Sequence, residues 1–304
     1  MQTVMITFIT LVAFAANSVL CRWALMDQII DPLSFSIVRI ISGALTLLTL
    51  FTLSSHCKSR EELVNNDKSV ETKLKLPFQF TSILSLLVYM FGFSFAYLEL
   101  GAGLGALVLF VAVQFTMIAA HLIAGNRMSL LEWCGCLLSV SGLVYLLMPT
   151  DSTSSPDITS IILMALAGVG WGIYTLAGKK STNALQSTTA NFAFSSLVIL
   201  VLVSLLLVIP SVASQISITE QGLIYAILSG SVASGVGYSL WYYVVKKLNT
   251  VVASIAQLSV PVIATLGGVL LLSEPVTMQF VISSTVILLG ISLVLFAPKL
   301  EKRS

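Results

Sequence analysis

The sequence predicts an all-α polytopic membrane protein, with ten transmembrane helices arranged as two inverted five-helix repeats. Three observations carry that expectation. Apolar residues make up 57% of the chain and charged residues 9%, with a mean hydropathy of +1.01, against about 45–50% and 25% in soluble domains. The apolar residues gather into ten runs, each close to the roughly 20 residues a helix needs to cross a bilayer. Stretches of the first half also lie over the second without gaps. Gly101–Tyr145 covers Asn249–Leu293 at an offset of 148 (249 minus 101), so that Gly105 meets Ala253 and Gly142 meets Gly290. FAANSVLCRWAL from Phe14 covers WGIYTLAGKKST from Trp171 at an offset of 157, which sets Arg22 over Lys179.

The runs of the first half are Thr3–Met26, Leu33–Leu53, Phe78–Leu98, Ala102–Ala124 and Ser129–Met148. Those of the second half are Ile158–Gly178, Thr189–Ile209, Gln221–Val245, Thr250–Leu272 and Val276–Ala297. Residues 1–148 and 158–297 are therefore expected as the two repeats. Pro32, Pro77, Pro149, Pro156, Pro210, Pro275 and Pro298 fall at or just beyond run ends, where a helix breaker belongs. Pro261 alone sits inside a run. There it removes a backbone hydrogen bond, so the ninth helix is expected to bend near Gln257. Exposed backbone at that depth is tolerated only against protein or a wet cavity. The first run has no basic leader and no clear cleavage site, and it reads as a retained span.

Orientation follows from the basic residues. With the N-terminus inside, Lys58, Arg60, Lys68, Lys73, Lys75, Arg127, Lys179, Lys180, Lys246, Lys247, Lys299, Lys302 and Arg303 are cytoplasmic, thirteen of the fifteen. An even number of spans puts both termini in the cytoplasm, and five spans per half makes the repeats antiparallel. Ser54–Leu76 reads as a solvated cytoplasmic loop, and Pro149–Asp157 as an outer connection between the halves. A net charge of +2 offers no patch for nucleic acid.

Inverted repeats place a solute site near the bilayer midplane, where irregular helices meet. The candidate residues are Asn17, Arg39, Gln114, Trp171, Tyr174, Tyr238, Trp241, Gln257 and Pro261. For Gln114 and Gln257 the alternative is a helix-to-helix hydrogen bond, which a buried amide needs in any case. Trp241 and Tyr242 read equally as an aromatic belt at the membrane surface. Small residues from Ser229 to Gly237 allow close helix approach. Arg39, seven residues into the second run, either snorkels outward past Asp31 or selects anions at the outer mouth of a cavity. Arg22 reads as snorkelling or paired with Asp27 or Asp31.

No catalytic constellation, metal-ligand spacing or cofactor motif occurs. Cys21, Cys57, Cys134 and Cys136 read as reduced packing residues. Glu99, Glu220 and Glu274 fall at outer ends and Glu132 and His121 near the inner surface, so no carboxylate relay crosses the middle. GxxxG at Gly101–Gly105 and Gly168–Gly172 fits packing inside the bundle as well as dimerisation.

FAANSVLCRWAL, DPLSFSIVRIISGAL, GALVLFVAVQFTM, GVGWGIYTLAGKK, GYSLWYYVVKKL and AQLSVPVIATLGGVLLLSEPVT together make the chain resemble the EamA family of the drug/metabolite transporter superfamily over nearly its whole length. The resemblance implies a central cavity between spans one to four and six to nine, with spans five and ten at the periphery. It also implies export or exchange of small metabolites such as amino acids, or of drugs. The family's first repeat often carries tryptophan, proline and glutamate where this chain has Phe14, Val113 and Asn126, whereas Trp171, Pro261 and Glu274 are kept in the second. The functional expectation is a multi-pass secondary transporter of the cell membrane, working by alternating access on a small-molecule substrate. A membrane-embedded binding or assembly subunit without transport is the alternative, and the sequence leaves monomer or homodimer open.

Overall fold

The computed structural model describes residues 2–26, 28–64, 76–125, 127–148, 157–206, 216–248, 256–257 and 259–301; side chains at 57–64, 147, 206, 291, 294–295 and 297–301 are not described. The described residues form helices α1 (Gln2–Met26), α2 (Pro32–Val64), α3 (Phe80–Ala96), α4 (Ala102–Ile123), α5 (Leu130–Leu147), α6 (Ile158–Lys179), α7 (Ala184–Leu206), α8 (Glu220–Val245), α9 (Ser259–Leu272) and α10 (Met278–Glu301). Six of them, α1, α2, α4, α6, α7 and α8, are long and apolar enough to cross a membrane; the other four are shorter apolar helices. Among the described residues the sole β-type pairing is an isolated antiparallel bridge, Ile30 to Ile218.

The boundaries differ from the sequence expectation where side chains cap a helix. The seventh helix starts at Ala184 rather than Thr189, because the Asn183 side chain accepts the Gln186 N–H at 3.1 Å. Thr188 and Thr189 then bond back to the carbonyls of Ala184 and Leu185, which lets polar residues sit inside the first turns. The sixth helix is capped by Asp157, whose carboxylate accepts the Ser160 N–H at 2.8 Å and is held below its usual range by that backbone bond. Ser129 and Glu132 form a capping box on α5. The ninth run is described as helix from Ser259, so the expected bend before Pro261 falls partly outside the described residues.

The largest departure is inside α8, where Ser229–Val236 is π-helical. A π-turn accommodates one extra residue and widens the helix, an arrangement that is rare and gathers at functional sites.

Packing is close because glycines remove side chains at the crossings. A Cβ on Gly168 of α6 would lie 2.4 Å from the Leu109 carbonyl oxygen of α4, and one on Gly172 would lie 2.8 Å from the Thr116 Cβ. This GxxxG therefore packs α6 onto α4 within the bundle. A Cβ on Gly170 would lie 2.8 Å from the Ser85 carbonyl oxygen of α3. In lipid, where the helices gain no hydrophobic drive from one another, such van der Waals fit is a main source of association. Leu200, Leu266 and Leu270 point outward, while Asn17, Arg39, Gln114 and Gln257 are buried.

Several helix pairs run antiparallel. Along α2 and α7, Ile40 meets Ser196 and Leu47 meets Thr189. On α5 and α10, Ser139 donates to the Ile287 carbonyl at 3.3 Å while Gln279 donates to the carbonyls of Tyr145 and Met148. The principal remaining pairs are α3 with α6, α1 with α8, α4 with α6, α1 with α9, α2 with α8, α4 with α9, α7 with α8, α2 with α3 and α3 with α7.

Gly168→Ala is expected to lower the thermal stability of the detergent-solubilised protein by about 1–3 kcal/mol, the usual range for overpacking, because the new methyl meets backbone that cannot rotate away. A melting curve unchanged from wild type would show that α4 and α6 do not pack as described.

Candidate functional site

Arg39 organises the middle of the bundle. It is fully buried, so it does not snorkel. Its Nε donates to Ser234 Oγ at 2.9 Å, and its Nη2 donates to Tyr238 OH at 2.7 Å and Tyr89 OH at 3.1 Å. The guanidinium carbon lies 4.9 Å from the Phe93 ring centroid and 5.3 Å from that of Tyr89. Its Nη1 has no partner among the described residues. Among the described residues every group that touches the charge is neutral. Charge-assisted hydrogen bonds are worth about 1.5–3 kcal/mol each, and the aromatic faces add cation–π attraction. Together they offset the several kcal/mol that an isolated buried cation costs.

The hydroxyls that hold Arg39 are themselves tied across helices. Asn17 of α1 donates from Nδ2 to Tyr89 OH at 3.2 Å and accepts from Ser229 Oγ at 2.7 Å. Tyr238 and Tyr89 share a hydrogen bond of 2.8 Å. The close approach of α8 depends on Gly230, whose Cβ would fall 2.2 Å from the Arg39 carbonyl oxygen and 2.0 Å from Ser42 Oγ. The π-helical stretch supplies both Ser229 and Ser234 to this network.

Beside it lies an aromatic cluster. Trp171 packs edge-on against Phe14 at 5.2 Å and lies 4.7 Å from Tyr238 and 5.6 Å from Tyr174. Trp171 Nε1 donates to Gln257 Oε1 at 3.2 Å. Trp241 stands 5.5 Å from Phe14. Trp241 and Tyr242 are both buried, which removes the belt reading, and Tyr242 OH donates to the Tyr174 carbonyl at 2.9 Å.

Of the residues singled out in the sequence, the structure thus gathers Asn17, Arg39, Trp171, Tyr174, Tyr238, Trp241 and Gln257 into one contiguous group. Gln114 is buried on α4 and Pro261 on α9, and neither contributes to the hydrogen bonds around Arg39 described above. Tyr89, Phe93, Ser229 and Ser234 were missed as site residues. Tyr89 had a usable signal: it lies 149 positions before Tyr238, one more than the 148 that relates the halves from Gly101 and Asn249 onward.

Of the two partners expected for Arg22, Asp31 is engaged elsewhere. Asp27 lies outside the described residues, and Asp31 accepts instead from the backbone N–H groups of Ser34 and Ser217. Arg22 Nε stands 3.4 Å from Glu274 Oε1, and its Nη1 donates to the carbonyls of Tyr97 and Leu98. Glu274 in turn accepts the Ala102 N–H at 2.9 Å, placing a carboxylate at the positive end of α4. Ala102 begins α4, so this group ties α1, α3, α4 and the α9–α10 connection together at one end of the bundle. At the same end the Ile29–Asp31 strand-like segment bonds to Ser217 and Thr219. A side cavity of about 560 Å³ opens there between Leu104, Leu146, Thr265 and Phe280. The opposite, basic end is looser: a cavity of about 820 Å³ is lined by Phe51, Ser54, Thr182, Ser239, Lys246 and Lys247 among others, with no acidic residue among the described ones.

His121 is exposed at the last turn of α4. Cys21 and Cys136 are buried and Cys134 is exposed, all three as free thiols; the side chain of Cys57 lies outside the described residues. Among the described residues no group of His, Cys, Asp and Glu could hold a metal ion.

The sequence pattern of the EamA-like transporter family matches residues 1–148 and 158–296. An uncharacterized protein of Pseudomonas aeruginosa is 38% identical over 305 residues, covering 99% of this chain and 96% of its own length. An uncharacterized transporter of Archaeoglobus fulgidus is 27% identical over 70% of this chain and 74% of its own, and the uncharacterized transporter YoaV of Bacillus subtilis is 21% identical over 86% of each. A solved crystal structure superposes with a TM-score of 0.62 at 15% identity, over 96% of both chains, which shows a shared fold. With a buried polar centre inside an apolar multi-helix bundle and a family match along both halves, the chain is a membrane transporter and belongs to the EamA-like transporter family.

Proposed function

We propose that the protein is a secondary transporter that exports small organic metabolites across the cell membrane by alternating access. Its ten helices would all span the bilayer as two inverted repeats, residues 1–148 and 158–297, with both termini in the cytoplasm. The observation that carries this reading is the Arg39 centre. It lies where both halves meet, built by α1, α2 and α3 from one side and α8 from the other.

The pairing of helices supports the inverted repeat. Exchanging the first five helices for the last five turns α3–α6 into α8–α1, α4–α6 into α9–α1 and α2–α8 into α7–α3, all pairs that occur. Equivalent residues also meet each other, as they must beside a twofold axis: Phe14 touches Trp171 at the 157 offset, and Ser139 bonds to Ile287 at the 148 offset. A site at such an axis is used by both repeats when either rocks.

The two ends support a gate. The end bearing Glu274 is laced by Arg22, the Ala102 N–H and the Asp31–Ser217 pair, whereas the lysine-bearing end opens into the larger cavity. With the lysines cytoplasmic, this would be a conformation closed outside, with the centre occluded and a vestibule below it on the cytoplasmic side. Asn17, Arg39, Gln114, Trp171, Tyr174, Tyr238, Trp241, Gln257 and Pro261 would then line the solute chamber as it opens.

Two outcomes are expected. In a background lacking the native cysteines, Asp31→Cys with Ser217→Cys should form a disulfide under oxidation and stop counterflow in proteoliposomes, with activity returning on reduction; transport that continues through the cross-linked protein would refute an outer gate at this position. Trp171→Ala and Gln257→Ala should each lower transport, measured against metabolite profiles of cells lacking and overproducing the protein, at unchanged membrane abundance. Full activity in both variants would remove the aromatic cluster from the chamber.

A further inference from the structure

We infer that the solute is an organic monoanion whose single carboxylate docks on Arg39, with an apolar or aromatic body and no compensating ammonium. This rests on the transport reading and names the substrate class of its central site. Three features lead to it.

The first is an unmatched charge. Arg39 is entirely buried, yet among the described residues the single ion pair lies elsewhere, between Arg22 and Glu274. Of the five N–H groups of a guanidinium, three are used on Ser234, Tyr89 and Tyr238, and the two on Nη1 have no partner. An unused donor pair on a buried cation is a costly arrangement unless something else takes it up. A carboxylate presents two oxygens at the spacing a guanidinium edge matches, so it can take Nη1 and displace one tyrosine hydroxyl from Nη2.

The second is charge count. The groups touching Arg39 among the described residues are hydroxyls and aromatic faces, with no second cation. One formal positive charge matches one negative charge; a dianion such as a phosphate monoester would bring an extra charge into low dielectric with nothing to meet it. By the same argument a zwitterion would bury its ammonium without a carboxylate partner. The flank of Phe14, Trp171 and Tyr174 instead suits an apolar or aromatic body.

The third is a route. Lys246 and Lys247 line the larger cavity at the basic end, and among the described residues no acid does. Ser239 lines that cavity while Tyr238, the next residue along α8, holds Arg39. Anions concentrated in the basic vestibule thus gather against the same helix, α8, that holds Arg39 through Tyr238. The π-helical stretch, which carries Ser234, is the part of α8 whose hydrogen-bond pattern can shift to let Tyr238 move.

The test uses the full-length protein in detergent, with ligand binding read from thermal unfolding and from quenching of tryptophan fluorescence. The probes are a graded series of monocarboxylates, from acetate to phenylacetate and 3-phenylpropionate, beside their primary amides, phenylalanine, phenyl phosphate, and sodium chloride at equal ionic strength. The larger monocarboxylates should stabilise the protein and quench fluorescence; the amides, phenyl phosphate, phenylalanine and chloride should not. Arg39→Gln should abolish the effect. Arg39→Lys, which keeps the charge but loses the fork, should bind roughly 10- to 100-fold more weakly, as expected for losing a charge-assisted hydrogen bond. If Arg39→Gln does not fold, Arg39→Lys and the carboxylate–amide comparison decide on the wild-type background. Stabilisation by an amide equal to that by its acid, preference for phenylalanine or phenyl phosphate, an equal effect of chloride, or no stabilisation by any monocarboxylate overturns the assignment. Counterflow of an uncharged or cationic solute in the same preparation would show that transport stands while the anion site falls.

Discussion

A positive charge with no acid beside it among the described residues is the constraint on which the middle of this molecule depends. Arg39 cannot reach the surface from its place in α2, and it must be solvated by whatever the other helices provide. What they provide is a set of hydroxyls and ring faces from α3 and α8, themselves held by Asn17 of α1. Four helices are thereby fixed relative to one another through one side chain. Remove any hydroxyl and an N–H of a buried cation loses its partner, a penalty of about 1–3 kcal/mol or more.

Bringing α8 that near requires an absence of bulk, and the glycines explain how it is reached. Gly230 lies under the backbone of Arg39, and Gly43 one turn on allows Phe192 of α7 to lie against α2. On the other side of the aromatic cluster Gly168, Gly170 and Gly172 let α6 sit between α3 and α4, which places Trp171 against Phe14 and Tyr238. The same residues that provide packing in lipid, where helices gain no hydrophobic drive from meeting, therefore also aim the polar and aromatic groups inward.

Much of this was legible in the sequence, because lipid imposes simple rules. Apolar runs and Pro positions gave helix locations, since backbone must be satisfied within each helix. Mid-span Arg39, Asn17, Trp171, Tyr238 and Gln257 stood out by being polar or aromatic where nothing requires it, and these are the residues that meet. The remainder depended on geometry that periodicity does not encode. Tyr89 reads as an ordinary apolar-run tyrosine, because its counterpart lies at 149 rather than at the 148 that relates the halves from Gly101 and Asn249 onward; the π-helical stretch that carries Ser229 and Ser234 is invisible to a 3.6-residue pattern. Arg22 was matched to nearby acids in the chain, whereas its partner Glu274 comes from the far end of the sequence through folding. The start of α7 was misjudged because Ser and Thr bonding to their own helix made polar residues compatible with it.

The neutrality of the Arg39 shell bears on how such a centre could change state. A guanidinium locked to a carboxylate would have to break a strong buried ion pair for the helices to move, at a cost of several kcal/mol. Hydroxyls of tyrosine and serine can each donate, accept and rotate, so Arg39 can exchange Tyr238 for another acceptor while keeping most of its solvation. Tyr238 and Tyr89 are already bonded to one another, and each would retain that partner after releasing the arginine. Rearrangement is thus an exchange among near-equivalent hydrogen bonds rather than the exposure of a bare charge, and the partner that tips the exchange needs only to be a better acceptor than a phenol. A helix with a π-helical centre at Ser229–Val236 lies against this exchange, and a shift in its register moves Ser229, Ser234 and Tyr238 together. The interaction that holds the closed bundle is for that reason also the one whose replacement can open it.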